Sequence, residues 1–264
     1  AEALREQMGL NKSYFEQYFD VVRSAFTFDF GRSWTMKQEI SGILMSKAIP
    51  SLTLSLPAFF ISTVTSIFFA IAVAFYRGKG IDLFIRITCI AMMSISSLVY
   101  ILVFQYLFAY RWGLFEISGF EFGFPNFIYY IMLPVIIWVV LSLGPDIRFY
   151  RTLILDEIYQ DYVRTAKAKG LSKNKIMFKH VLRNAMIPIV TYTVVQLPFL
   201  LLGALLLESF FSIPGLGSLT IDALNSSDFP VLKAVTIISA VAYIIFTLIQ
   251  DILYTIVDPR VKLQ

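Results

Sequence analysis

The sequence is poor in the groups from which catalytic and metal sites are built. Among 264 residues there is one cysteine, Cys89, and one histidine, His180. Cys89 has no partner for an internal disulfide, and a lone histidine excludes a His cluster for metal. No GxxxxGKS/T stretch occurs, so this chain does not hold ATP in a P-loop, and Gly78-Lys79-Gly80 reads only as a turn. HExxH and paired-cysteine motifs are also missing. Charge is scarce as well. Asp, Glu, Lys and Arg make up 15% of the chain, against about a quarter in soluble domains. The net charge of +4 is modest. No basic run is interleaved with aromatics, which argues against a nucleic-acid surface. The first residue is Ala1, and no signal-like start follows it.

What the chain has is apolar surface. Hydrophobic residues make up 58% and phenylalanine alone supplies 25. One soluble core of this length cannot hide that much, so part of it must face lipid. A bilayer core takes about 20 mostly apolar residues per helix. Five stretches qualify: 51–76, 83–110, 127–144, 185–207 and 231–257. Cytoplasmic loops collect Lys and Arg. The connection after the first stretch holds Arg77 and Lys79, with Arg86 just inside the next. The segment 145–184 holds nine basic residues, from Arg148 to Arg183, and the tail holds Arg260 and Lys262. The opposite connections are nearly empty, with Arg111 alone in 111–126 and none in 208–230. This alternation supports five spans, with the C-terminus inside and Ala1 outside. Segment 1–50 is then external, with six basic and six acidic residues, and 10–30 reads as short helices on the outer face. An external start without a signal leads us to expect a further span upstream of Ala1, with a cleaved signal peptide as the competing explanation.

Two loops stand out. In the cytoplasmic loop 146–184, Ile147, Tyr150, Ile154, Ile158 and Tyr162 keep a helical beat. Thr165, Ala166 and Ala168 form a small-residue run. Gly170 suits a left-handed helix C-cap, and Ser172 an N-cap for a second helix over 173–184. Small side chains at a bend let another protein approach the backbone, and Arg164, Lys167 and Lys169 can meet acidic groups on it. The loop reads equally as a positive-inside anchor. The external loop 208–230 places Phe210 and Phe211 beyond the fourth stretch, then the turn formers Pro214, Gly215 and Gly217. It reads as a re-entrant hairpin with a short helix over 218–224, Leu219 and Leu224 inward, or as a plain surface turn. Glu208 and Asp251, at span ends, suit either an ion path or a structural role. A ladder of buried charges is not expected.

These loops resemble a known family. Asp161-Tyr-Val-Arg-Thr-Ala-Lys-Ala-Lys-Gly170-Leu171-Ser, followed by His180-Val-Leu-Arg-Asn-Ala and Pro188, is similar to the cytoplasmic EAA-type loop of permease subunits in binding-protein-dependent ABC importers. The variant looks like the dipeptide/oligopeptide/nickel branch. Glu208-Ser-Phe-Phe-Ser-Ile-Pro-Gly-Leu-Gly217, Tyr254 with Asp258-Pro-Arg260, and Phe28-Asp-Phe-Gly-Arg-Ser33 agree with it. The general pattern's Glu-Ala-Ala is here Arg164-Thr165-Ala166, and its Ile-x-Leu-Pro position does not fit Ile187-Pro188.

The resemblance implies an all-α, polytopic transmembrane domain of the type I ABC importer kind, in the cytoplasmic (inner) membrane of a prokaryote. Five spans lie in this chain, and the family's first helix lies upstream. It implies a transport subunit, not an enzyme, forming half of a pathway for solutes, peptides above all. ATP and Mg would be used by a partner ATPase, with no cofactor bound here. The implied partners are a second homologous permease, two ATP-binding subunits, an extracytoplasmic solute-binding protein and the lipid bilayer. Asp161, Tyr162, Arg164, Thr165, Ala166, Lys167, Ala168, Gly170 and Leu171 become the ATPase-coupling candidates. Glu208, Phe210, Phe211, Pro214, Gly215 and Gly217 become the candidates for an external loop or gate. Within the family, a nickel, metal-chelate or glutathione importer is the alternative. Outside it, an ion-coupled carrier or channel, a membrane scaffold and an intramembrane enzyme are the rival classes.

Overall fold

The computed structural model describes residues 13–123, 126–201 and 203–257, so the Asp258-Pro-Arg260 motif and the basic tail lie outside the described residues. The described chain is helical: α1 Tyr14–Thr27, α2 Ile40–Phe75, α3 Gly80–Ser94, α4 Ser97–Phe104, α5 Asn126–Ile158, α6 Asp161–Ala168, α7 Leu182–Val195, α8 Leu197–Leu201, α9 Leu205–Phe210, α10 Leu216–Asn225 and α11 Phe229–Val257. Among the described residues the only extended pairing is an isolated bridge between Arg32 and Glu39.

Four helical stretches are long and apolar enough to cross a bilayer: Ile40–Phe75, Asn126–Ile158, Lys173–Phe210 and Phe229–Ile252. A fifth is a pair, Gly80–Ser94 and Ser97–Arg111, bent by 92°. The second sequence stretch is therefore a broken helix and not a straight one. The cause is local. Ile95 and Ser96 leave the helix with extended backbone. Ser94 turns its hydroxyl back onto the Ile90 carbonyl at 2.9 Å, and Tyr100 donates to the Met92 carbonyl at 3.1 Å, satisfying an acceptor that the break orphans. The first span begins earlier than its hydropathy suggests, at Ile40, inside the segment assigned to the exterior.

The chain divides into two compact units. Among the described residues the first comprises 13–53, 118–120 and 198–245. Its apolar core joins Ile40, Ile43 and Leu44 of α2 to Leu216, Leu219 and Ala223 of α10 and to Val231, Ala234 and Val235 of α11. Asp228, just before α11, is buried. It accepts from the Ser33 hydroxyl at 2.5 Å and from the Trp34 and Thr35 amides at 3.2 and 3.1 Å. This ties the 28–33 motif to the last span.

Among the described residues the second unit comprises 54–117, 121–197 and 246–257. Its core packs Ala70 and Ala74 of α2, Tyr150 and Ile154 of α5, Val163 and Ala166 of α6, and Ala185 and Ile189 of α7. A π-helical turn, Ile176–Val181, leads into α7 and contributes Ile176, Met177 and Val181. Buried Asp82 of α3 pairs with Arg151 of α5 at 3.0 Å and with Arg86 at 3.2 Å, and it accepts from the Gly78 amide at 3.1 Å.

Candidate functional site: a cytoplasmic helix tip and a glycine-walled carboxylate

The basic loop 146–184 folds as its sequence suggests. α5 runs past the third stretch to Ile158 and buries Ile147, Tyr150 and Ile154. After the break, α6 is amphipathic over two turns. Val163 and Ala166 face the core, while Asp161, Arg164, Thr165, Lys167, Ala168 and Lys169 are exposed. Gly170 ends it at φ +73°, in the left-handed region that a side chain resists. Its surroundings are open, so the torsion and not space calls for glycine. Ser172 then accepts from the Lys175 amide as an N-cap.

One correction follows for the coupling candidates. Ala166 is 5% exposed and belongs to the chain's own core, so it offers no surface to a partner. The free surface of the tip is Arg164, Thr165, Lys167, Ala168, Lys169 and Gly170. Tyr162 and Leu171 are half-buried at its base. Tyr162 donates to Glu157 at 2.5 Å. Its burial, and then that hydrogen bond, push the phenol up to about 12.

The external loop is a helical hairpin, α9 and α10, joined through Pro214 and Gly215. Phe211, Ile213, Leu216 and Leu219 are buried in it and Phe210 is partly exposed. Leu219 points inward as expected. Leu224 does not, being 61% exposed, because five residues on it lies about 140° around the helix from inward-facing Leu219.

Glu208 is the centre of this hairpin and is fully buried. One carboxylate oxygen accepts from the Ala204 amide at 3.0 Å and from the Ser51 hydroxyl at 2.8 Å. The other accepts from the Ser218 amide at 3.1 Å. Ser51 accepts in turn from the Leu216 amide at 2.7 Å. Leu216 and Ser218 lie in the first turn of α10, whose amides have no partners within the helix. The residue before that helix is Gly215, which has no side chain to cap them. Glu208 and Ser51 therefore act as a cap supplied from two other helices, with a carboxylate at the positive end of the dipole.

The glycines make room for it. A Cβ on Gly203 or Gly215 would land on the Glu208 carboxylate, and one on Gly217 would come within 2.9 Å of it. Gly203 also stands at φ +73°, where the fourth stretch is interrupted before α9. Pro-Gly-Leu-Gly is thus a close-packing motif around one acid, more than a generic turn. Sequence reasoning named Glu208, Gly215 and Gly217. It missed Ser51 and Gly203, which only the fold brings to them.

Reasoning from sequence also undercounted buried acids. Besides Glu208, the carboxylates of Asp82, Asp146 and Asp228 are buried. Asp146 lies in the middle of α5, where the Tyr192 hydroxyl of α7 donates to it at 3.4 Å. Phe149 stacks on Tyr192 with centroids 4.0 Å apart, and Tyr150 meets Thr193 at 3.2 Å. Towards the C-terminal end of α5 an open cavity of about 830 Å³ is lined by Glu157, Tyr162, Arg183, Asn184, Ile187 and Pro188. Among the described residues no group of three or more potential metal ligands occurs.

This is the layout of a multi-span membrane subunit with an exposed two-turn helical tip. Residues 66–263 match the family described as the binding-protein-dependent transport system inner membrane component. The chain belongs to this family. It is similar along nearly its whole length to named transport proteins. It is 33% identical over 267 residues to the oligopeptide transport system permease protein AppB of Bacillus subtilis, covering 99% of this chain and 84% of that one. It is 34% identical to the dipeptide transport system permease protein DppB of Lactococcus lactis subsp. cremoris, covering 99% and 85%. The glutathione transport system permease protein GsiC of Escherichia coli K12 is 28% identical over 99% of this chain and 84% of its own length. As a member of this family the chain is an inner membrane component of a transport system. Its long apolar helices fit a multi-pass place in the bilayer.

Proposed function

We propose that this chain is one of two permease subunits of an ATP-driven importer of peptides in a prokaryotic cytoplasmic membrane. The oligopeptide and dipeptide permeases, similar across 99% of the chain, are the observation that carries the cargo class. The second permease, two ATPases and an extracytoplasmic binding protein complete the assembly, and the ATPases bind ATP and Mg.

The tip 161–171 is the coupling element. A short exposed helix, pinned to the transmembrane core through Val163 and Ala166, transmits a push as a rigid body. Movement of an ATPase groove around Arg164, Thr165, Ala168 and Gly170 then reaches α5 and α7 directly, because both flank α6 and share its core. The Glu208-capped hairpin serves as a firm external rim, since its backbone is held by buried groups.

The test is uptake by the complete complex in proteoliposomes. Vanadate-sensitive, ATP-dependent uptake of a dipeptide is expected. Gly170→Val, which strains the left-handed cap, should leave the complex assembled but cut substrate-stimulated ATP hydrolysis and uptake together. Normal coupling in that variant would sink the assignment of the tip. Uptake driven by an ion gradient without ATP would sink the importer reading itself. The similarity to a glutathione permease favours glutathione as a second cargo, tested in the same vesicles.

A further inference from the structure

Helix α1 is held differently from the others. A helix of 14 residues is marginal in water and takes its stability from packing an amphipathic face. α1 starts well, since Ser13 and Glu16 close a capping box in which the Ser13 amide donates to Glu16 at 2.9 Å. Yet none of its residues is buried. At about 100° per residue, Tyr14, Phe15, Tyr18, Phe19, Val22 and Phe26 fall on one arc of about 140°, and Glu16, Asp20 and Arg23 fall on the other side. Phe15 and Phe26 are 78% and 82% exposed. Half-buried Gln17 and Ser24 lie about 180° around the helix from these two rings, so the aromatic arc is turned away from the chain's own contacts. The five open rings leave roughly 600 Å² of apolar surface, more than a monomer surface leaves uncovered without a membrane or partner to meet it.

The C-terminal end of α1 fixes where this arc sits. Phe28 caps the helix, and its carbonyl accepts from the Ser41 hydroxyl of α2 at 2.5 Å. Phe28 and Phe30 line an apolar cavity of about 200 Å³ with Leu44 and Met45 of α2 and Val235 and Ile238 of α11. Both α2 and α11 are long and apolar enough to cross a bilayer. Val235 and Ile238 lie about one and two turns inside the apolar stretch 231–257. The end of α1 therefore stands beside the spans at the edge of the bilayer, not in the water beyond them. Exposed Met45 and Ile49 carry the apolar surface on from the cavity along α2. A helix with rings on one arc and charges on the other, placed at this level, lies in the plane of the interface.

We propose that α1 is an interfacial anchor: it lies on the lipid surface beside the N-terminal end of α2, with its aromatic arc among the upper acyl chains and Arg23 and Thr27 in water. Its partner is phospholipid of any headgroup charge, because the arc that enters the lipid carries no charge. The anchor sets the height of the segment that follows it, which the bonds of Ser33, Trp34 and Thr35 to Asp228 tie to the start of α11.

The complete complex in lipid nanodiscs, where both membrane faces are open to reagents, tests the anchor. In the wild-type complex, phosphatidylcholine with a diazirine in its acyl chain should label the peptide that carries Phe15 and Phe19, read by mass spectrometry. A second measurement uses a hydrophilic maleimide on single variants, read on this chain's own peptides. The thiols introduced by Phe15→Cys and Phe26→Cys should react more slowly than those introduced by Arg23→Cys and Thr27→Cys by about tenfold or more, the protection expected of a helix still held in lipid by its other rings. Adding the extracytoplasmic binding protein should leave that pattern unchanged. Absence of lipid label on α1 in the wild-type complex, or equal reactivity of the four thiols, overturns the anchor. Thiols at Phe15 and Phe26 that stay open until the binding protein is added overturn it too, and assign the face to that protein.

Discussion

Replacing Glu208 by alanine gives the sharpest test of the external hairpin. The substitution removes the acceptor for the Ala204 and Ser218 amides and for the Ser51 hydroxyl. All three donors are left in a site that is closed to solvent, since Glu208 is fully buried. An unsatisfied buried donor costs about 1–3 kcal/mol. Ser51 keeps its contact with the Leu216 amide and so loses less. The two amides and the weakened hydroxyl together give roughly 3–6 kcal/mol, before counting the empty space between three glycines. With about 2–4 °C of melting temperature per kcal/mol in a chain of this size, the transition should fall by roughly 10 °C. The assay is thermal unfolding of the purified complex in detergent, followed by tryptophan fluorescence. Trp34, within the same unit, packs on Phe229 and reports on it. Ser51→Ala should lose a smaller part of the same amount. The double variant should cost less than the sum of the two, because both act on one cap. A melting temperature within about 2 °C of wild type for Glu208→Ala, or strict additivity with Ser51→Ala, would refute the cap.

Gly215→Ala should be nearly as damaging as the loss of Glu208. Its methyl would collide with that carboxylate and with Ser51, and the melting assay should register a drop of about 1–3 kcal/mol or more. Arg151→Met removes the closest cation from buried Asp82. Half-exposed Arg86 remains, so unfolding in denaturant should show a loss of about 2–3 kcal/mol, below the full cost of an orphaned buried charge. Asp228 makes stability depend on acid. Burial alone would raise its carboxyl, but the hydrogen bonds from Ser33, Thr35 and Trp34 outweigh that and hold it below the ordinary aspartate value. A depressed folded value means that its contribution is fully present above about pH 4 and is lost as pH falls through the folded value. Melting curves of wild type between about pH 6 and 3 should therefore steepen at the acid end, and those of Asp228→Asn should start lower and fall less.

Local chemistry was the legible part. The left-handed cap at Gly170, the N-cap at Ser172 and the buried stripe Ile147, Tyr150, Ile154 all depend on residues a few positions apart, and the fold reproduces each. The number of apolar stretches was legible for the same reason, because hydropathy over a bilayer's thickness is a local sum. The break at Ile95 and Ser96 was not. It lies in a stretch apolar enough to cross, and only the side-chain bonds of Ser94 and Tyr100 mark it. Pairings over long separations were equally hidden. Ser51 meets Glu208 across 157 residues, and Ser33 meets Asp228 across 195. Each of those serines, read alone, is an unremarkable polar residue. Ala166 shows the reverse error. Small residues at a bend suggest a docking surface, yet a small residue on the inner face of a two-turn helix is small because the core behind it is close.

The same contrast sorts the acids by role. A carboxylate kept for stability is surrounded by donors that the fold cannot supply to anything else: helix-end amides at Glu208, a loop amide and two arginines at Asp82, two backbone amides and a hydroxyl at Asp228. Removing such an acid orphans its donors, so the fold itself keeps it in place. Asp146 orphans nothing but a tyrosine hydroxyl at 3.4 Å, and an asparagine would serve that hydroxyl as well. Hydrogen bonding therefore gives little reason for an acid over an amide at that position.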